Sequence, residues 1–318
     1  MKHVQEISHQ VPFTSLSSLE AGFHVNAALG GGAPHVFLVD TGSVGILVPR
    51  RTLGPDYQNF DPSHDTTFGY VSSGKTYHGQ WVKVPVVLGV PPSWDGTGDY
   101  PTAQIEVFAV DRPDNFDGGL FGIGFAIGKS ADGGPTRNPL LHMTYQGTRL
   151  GHGYIVSTTN IEVGLTGANS ENFVFVPLER NDSNEDWEQP VGSVKLDSAL
   201  GGDSVTFNST ILMDTGIPEM ILWIDGNSAP FKLPSGQPFP AGITAIVSWR
   251  DPDQDTEPAL DYTFVTGDET QSMAPSFVEW RKGDGINTGR NVLAGYDYLY
   301  DAKSGRIGFR SRDLKSPQ

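Results

Sequence analysis

Phe37-Leu38-Val39-Asp40-Thr41-Gly42-Ser43-Val44-Gly45-Ile46-Leu47-Val48 returns later in the chain as Ile211-Leu212-Met213-Asp214-Thr215-Gly216-Ile217-Pro218-Glu219-Met220-Ile221-Leu222. Each copy is a short apolar strand, an Asp-Thr-Gly turn and a second apolar strand. More than half the chain separates the copies, so a duplicated lobe accounts for them more simply than chance. A single Asp-Thr-Gly arises by accident in roughly one chain of this length in fifteen, and is then an ordinary turn after a strand. Two copies, each with an apolar approach and an apolar exit, are far more specific. An ordinary turn needs no buried approach strand, whereas a carboxylate tuned by desolvation does.

Around these stretches the pattern is that of strands. Trp81 to Leu88 is β-branched and bounded by Gly79 and Gly89. Similar runs are Ile105 to Val110, Tyr154 to Ser157, Phe173 to Val176, Ile211 to Met213 and Ile243 to Trp249. Gly, Pro, Asn and Asp clusters separate them, and 39 Gly with 23 Pro supply many turns. Helical periodicity is scarce: Asn138 to Gln146 and Ser276 to Lys282 are each expected to make a turn or two. The stretches Glu179 to Gln189 and Asp251 to Asp261 are expected surface excursions. With 318 residues the chain is long enough for two lobes. The expected class is all-β, with an N-terminal lobe at 1–157 and a C-terminal lobe at 158–318.

Composition removes several function classes. Lys and Arg number 21 against 37 Asp and Glu, a net charge of −16. No basic run is longer than Pro49-Arg50-Arg51, so neither nucleic acid nor an anionic membrane surface is an expected partner. Cys is absent, which excludes disulfides, cysteine nucleophiles and thiolate metal sites. No apolar run approaches the length of a membrane-spanning helix, and Met1 to Gln10 has no apolar core of the secretory kind. Cytosolic residence and a removed leader both remain open. The eight His residues form no His-Glu-x-x-His, and no metal is expected. Asp251, Asp253 and Asp255 alternate like a calcium loop, but Thr256 stands where its Gly belongs and Tyr262 where its closing Glu belongs. Gly122 to Gly128 half-matches a dinucleotide fingerprint without a βαβ setting, and there is no Gly-x-Ser-x-Gly nucleophile elbow.

Two carboxylates a few ångströms apart cannot both ionise and so share one proton. The ionised one takes a proton from a water held between them, and the other donates to the oxygen of the attacked carbonyl. Asp40 and Asp214 are the candidates for this chemistry. Gly42 and Gly216 allow close approach of the turns. Thr41 and Thr215 can brace them by hydrogen bonds. Ser43 can donate to Asp40, but Ile217 can give Asp214 no such bond, so the shared proton is expected mainly on Asp214.

The sequence resembles the pepsin-like aspartic peptidases. Beyond the two turns, Asp117-Gly118-Gly119-Leu120-Phe121-Gly122-Ile123-Gly124 resembles the segment that threads the family's ψ-shaped loop, and Leu293-Ala294-Gly295 is its weaker counterpart in the second lobe. Tyr300 to Phe309 resembles the closing hairpin, and Phe68 to Trp81 the flap hairpin. Tyr70 best fits the flap tyrosine and Tyr77 is the alternative, with ordinary strand packing the plainer reading of either. The resemblance implies a bilobal pepsin-like fold, a cleft between the lobes, a preference for apolar side chains beside the scissile bond, and no cofactor. Departures are Ile217 in place of Ser or Thr, and Leu47 in place of the tryptophan that partners the flap tyrosine.

The leading expectation is an aspartic endopeptidase, a monomer, with a peptide in the cleft. Two rivals stay open: an enzyme using the same dyad on a small molecule, and a non-catalytic binding protein of the same fold. The presence of both Asp residues speaks against the second.

Overall fold

The computed structural model describes residues 6–58, 66–69, 75–113, 116–126, 134–182, 185–197, 204–224, 233–249 and 260–312. The protein is all-β: among the described residues its helical turns are short 3-10 pieces at Arg50–Thr52, Gly134–Arg137, Pro139–His142 and Asn291–Ala294, and no helix there reaches seven residues. None is long and apolar enough to cross a membrane. Two compact units are present. One comprises Met1–Ser17, Phe23–Tyr154 and Thr159–Gly167; the other comprises Ser18–Gly22, Ile155–Thr158 and Ala168–Gln318. The changeover near residue 157 is therefore a short interleaving of segments, and the Ser18–Gly22 turn is grouped with the second unit.

In the first half of the chain the strands are β1 (His9–Pro12), β2 (His24–Leu29), β3 (His35–Asp40), β4 (Val44–Pro49), β5 (Thr66–Gly69), β6 (Thr76–Leu88), β7 (Thr102–Arg112), β8 (Leu120–Ile123), β9 (Thr144–Tyr145), β10 (Thr148–Arg149), β11 (Gly153–Val156) and β12 (Asn160–Val163). Hydrogen bonding runs β10-β9-β7-β4-β8-β3-β2-β6-β5, and β6 pairs also with β7. The six strands from β7 round to β6 therefore close into a barrel, which leaves no free edge in that ring. β6 has the period-two pattern this requires: Val82, Val84, Val86 and Leu88 are buried, with more accessible residues between them. Phe37, Val39, Ile46, Val107, Phe121 and Ile123, all fully or almost fully buried, complete the barrel core.

The second half holds β13 (Val174–Pro177), β14 (Val191–Leu196), β15 (Val205–Leu212), β16 (Met220–Ile224), β17 (Thr244–Trp249), β18 (Leu260–Val265), β19 (Val278–Lys282), β20 (Gly285–Asn287), β21 (Tyr296–Asp301) and β22 (Arg306–Ser311). A seven-stranded sheet runs β18-β17-β14-β15-β20-β16-β19. β21 and β22 form the expected hairpin, with β13 on the far side of β22. Trp249, fully buried, stacks on Tyr262 and packs against Phe309.

Of the two expected helical segments, one differs. Ser276 to Lys282 enters β19, whose Val278, Glu279 and Trp280 are buried in a parallel pairing with β16. Neighbouring strands override a weak helical period there. Asn138 to Gln146 makes one 3-10 turn, capped by the Asn138 side chain, and then enters β9. The Asp251–Asp255 alternation lies outside the described residues.

Candidate active site

Asp40 ends β3, and the turn Thr41-Gly42-Ser43 leads into β4. The Gly42 N–H donates to Asp40 Oδ1 at 2.7 Å, and Ser43 Oγ donates to Asp40 Oδ2 at 2.8 Å. β8 lies between the two strands, parallel to β3 with Asp40 opposite Gly122, and antiparallel to β4 with Gly45 opposite Gly122. Gly122 is required by this crowding. A Cβ there would stand 2.6 Å from the Gly45 carbonyl oxygen and 2.8 Å from Ser43 Oγ. Asn138, completely buried, donates to the carbonyls of Ile123 and Gly124, and the Tyr154 hydroxyl also donates to Ile123 O. The exit of β8 is thus held by side chains from outside the sheet.

Asp214 follows β15, and the turn Thr215-Gly216-Ile217 leads toward β16. The Gly216 N–H donates to Asp214 Oδ1 at 2.7 Å, as Gly42 does for Asp40. β20 lies between β15 and β16, parallel to the first and antiparallel to the second. Asn287, at the end of β20, donates from Nδ2 to Asp214 Oδ2 at 2.7 Å. The expectation that Asp214 lacks a side-chain donor because Ile217 has no hydroxyl is therefore corrected. Each carboxylate has one oxygen on a turn N–H and the other on a side-chain donor, so this hydrogen bonding gives no ground for placing the proton on Asp214.

The second ψ-type segment is likewise relocated. It was expected at Leu293-Ala294-Gly295, but Leu293 and Ala294 belong to a 3-10 turn and Gly295 caps it. The segment between β15 and β16 is Asn287-Thr288-Gly289. Leu38 faces Leu120 and Leu212 faces Asn287, so Gly289 falls where Gly122 falls in the first unit. The steric reason repeats: a Cβ on Gly289 would lie 2.4 Å from Glu219 O and 3.1 Å from Ile217 O, and its φ is +65°. Sequence reading missed it because an apolar-apolar-Gly pattern was sought and the residues before this glycine are polar.

The turn at Asp214 is further tied to the following segment. Arg290, buried, donates from Nη1 to Thr215 O at 2.8 Å and from its backbone N–H to Ile217 O at 3.0 Å. Thr41, Ser43, Asp214, Thr215 and Asn287 are all buried. A recess of about 560 Å³ opens beside this turn, bordered by Pro218 and Asn291 and by Glu20, Asp268 and Glu269.

The flap candidates part company. Phe68 pairs with Tyr77 in the β5–β6 hairpin. Tyr77 packs edge-on against Phe116, beside a cluster of Leu47, Phe68, Phe108 and Val110 that Trp81 also joins. Burial raises the Tyr77 hydroxyl above the ordinary tyrosine range, so it stays protonated. Tyr70 lies outside the described residues. Leu47 has no tryptophan's bulk, but Trp81 comes to the same cluster from β6, its ring 5.3 Å from that of Phe108 and under the Arg137 guanidinium. Among the described residues no group of three or more His, Asp or Glu side chains could hold a metal ion.

No protein-family model matches the chain, and no curated protein matches it.

Proposed function

We propose that the protein is an aspartic endopeptidase of the pepsin-like bilobal type, with Asp40 and Asp214 as its acid–base pair. The observation that carries the reading is the equivalence of the two aspartates. Asp40 ends its strand and Asp214 follows its own by two residues, and each of these strands has a parallel neighbour that also pairs with the exit strand. Each aspartate has one oxygen on the N–H two residues on and the other on a buried side-chain donor. Ordinary surface turns also brace an Asp on the N–H two residues on, as at Asp95 and Asp268. Asp40 and Asp214 differ in having a buried second donor and a matching three-strand setting.

The mechanism requires the two carboxyl groups to face each other and share one proton. The ionised group takes a proton from water as it adds to the peptide carbonyl, and the protonated group donates to the developing oxyanion. The tetrahedral intermediate then collapses with proton transfer to the leaving amine, and no covalent enzyme intermediate forms. The donors on each carboxylate fix its plane, which near-attack geometry demands.

The test is a digest of a mixed peptide library read by mass spectrometry, with wild type beside Asp40→Asn and Asp214→Asn. Cleavage by wild type alone supports the reading. Binding of a statine-type inhibitor without cleavage of any peptide would replace it with acid–base chemistry on a small molecule. Neither binding nor cleavage would leave a binding protein.

A further inference from the structure

We infer that Asn287 is the positioning residue of Asp214, doing from β20 what Ser43 does for Asp40 from within the turn. The inference rests on the peptidase reading above.

Register establishes the equivalence. Leu38 and Leu212 each stand two residues before the aspartate, and they face Leu120 and Asn287 respectively. Leu47 and Ile221 each stand seven residues after it, and they face the same two residues. Asn287 therefore occupies the lattice point of Leu120, and Ile217 that of Ser43. Between the units one polar and one apolar residue have changed places. Ser43 donates while Leu120 packs in the first unit; Ile217 is apolar while Asn287 donates in the second.

The amide orientation is fixed by chemistry. The Gly289 N–H donates to Asn287 Oδ1 at 2.9 Å, and an N–H requires an acceptor. Nδ2 must then be the atom facing Asp214 Oδ2, and a flipped amide would set N–H against N–H and oxygen against carboxylate. Asn287 is 2% exposed. A buried amide is costly unless its groups are bonded, and here the bonded groups are a site carboxylate and the backbone of the crowded Gly289. The carboxylate plane of Asp214 thus depends on the register of β20.

The experiment exchanges the donors. Asn287→Leu, Ile217→Ser and the double variant are compared with wild type on one cleaved peptide at fixed ionic strength, each checked for its fold by circular dichroism. Asn287→Leu is expected to lower kcat roughly 10- to 100-fold with little change in KM, and to move the basic limb of the rate–pH profile upward. The double variant, which gives the second unit the pattern of the first, is expected to regain most of the loss and to return the limb. Ile217→Ser alone should stay within about threefold of wild type, because Asp214 already has its donor. A folded Asn287→Leu with wild-type kcat overturns the inference, and so does a folded double variant that regains nothing. A second measurement needs no turnover and covers an Asn287→Leu that does not fold. The Asn287 side-chain amide resonances, assigned by their loss in Asn287→Gln, should move when Asp214 is changed to Asn. Resonances that do not move overturn the inference even in a protein that cleaves nothing. A wild type without peptidase activity but with shifted resonances would sink the peptidase reading and leave the Asn287–Asp214 link standing.

Discussion

Asp40 and Gly122 face each other across parallel strands β3 and β8, and the same glycine faces Gly45 across antiparallel β4. The first carboxylate is therefore set at a point where three strands crowd together. Its position is a property of the barrel and not of the turn alone.

Adding one methyl group at this crossing should be felt. Gly122→Ala brings a Cβ to 2.6 Å from a carbonyl oxygen, and relief requires backbone movement. The expected loss is about 1–3 kcal/mol of stability. Gly289→Ala meets a closer carbonyl at 2.4 Å and adds the strain of a left-handed φ, so its loss should be the larger. Urea denaturation of the two variants beside wild type orders them. Equal stability of all three would contradict the crowding.

Removing either carboxylate should abolish turnover without unfolding the protein. Asp40→Asn and Asp214→Asn keep the shape of the side chain and lose its ability to exchange a proton. A drop of roughly 10²–10⁴-fold or more in kcat/KM is expected for each. Near-normal turnover in either variant would reject the acid–base pairing.

Tyr77 and Tyr70 should separate by the kind of damage they cause. Tyr77 packs against Phe116 beside the Leu47 cluster, so Tyr77→Ala should cost about 1–3 kcal/mol of stability, and Tyr77→Phe, which keeps the ring, much less. Tyr70→Ala is expected to lower kcat/KM by more than Tyr77→Phe does, as the flap residue that the resemblance implies would. Thermal melts and kinetics on the same preparations decide. If Tyr70→Ala is silent and Tyr77→Phe is the one that damages turnover, the flap register is displaced along the hairpin.

Leu47→Trp should not bring the protein nearer to the pepsin-like pattern. Leu47 is 1% exposed and sits in a cluster with Phe68 and Phe108 that Trp81 already joins. A second indole overfills it, with an expected loss of about 1–3 kcal/mol. The double variant Leu47→Trp/Trp81→Ala should recover part of that loss, a coupling that denaturant titration of the four proteins measures.

The sequence by itself determined the two Asp-Thr-Gly motifs, the all-β class, the strand from Trp81 to Leu88 and Ser43 as a donor to Asp40, while the resemblance supplied the β5–β6 and β21–β22 hairpins. These are local features: an apolar period of two, turn residues at fixed offsets, and donors within three residues of the carboxylate they serve. Tertiary structure decided what comes from far along the chain. Asn287 reaches Asp214 from 73 residues away, and nothing in Gly285-Ile286-Asn287-Thr288-Gly289 marks it, because a buried Asn with both amide groups bonded reads as a loop residue until its partners are known. The same holds for β19, which read as a helical turn until β16 lay beside it, and for Trp81, which joins the Leu47 cluster from another strand. Hydrogen bonds and packing across strands depend on register, and register is set by which strands meet, not by the order of residues within either one.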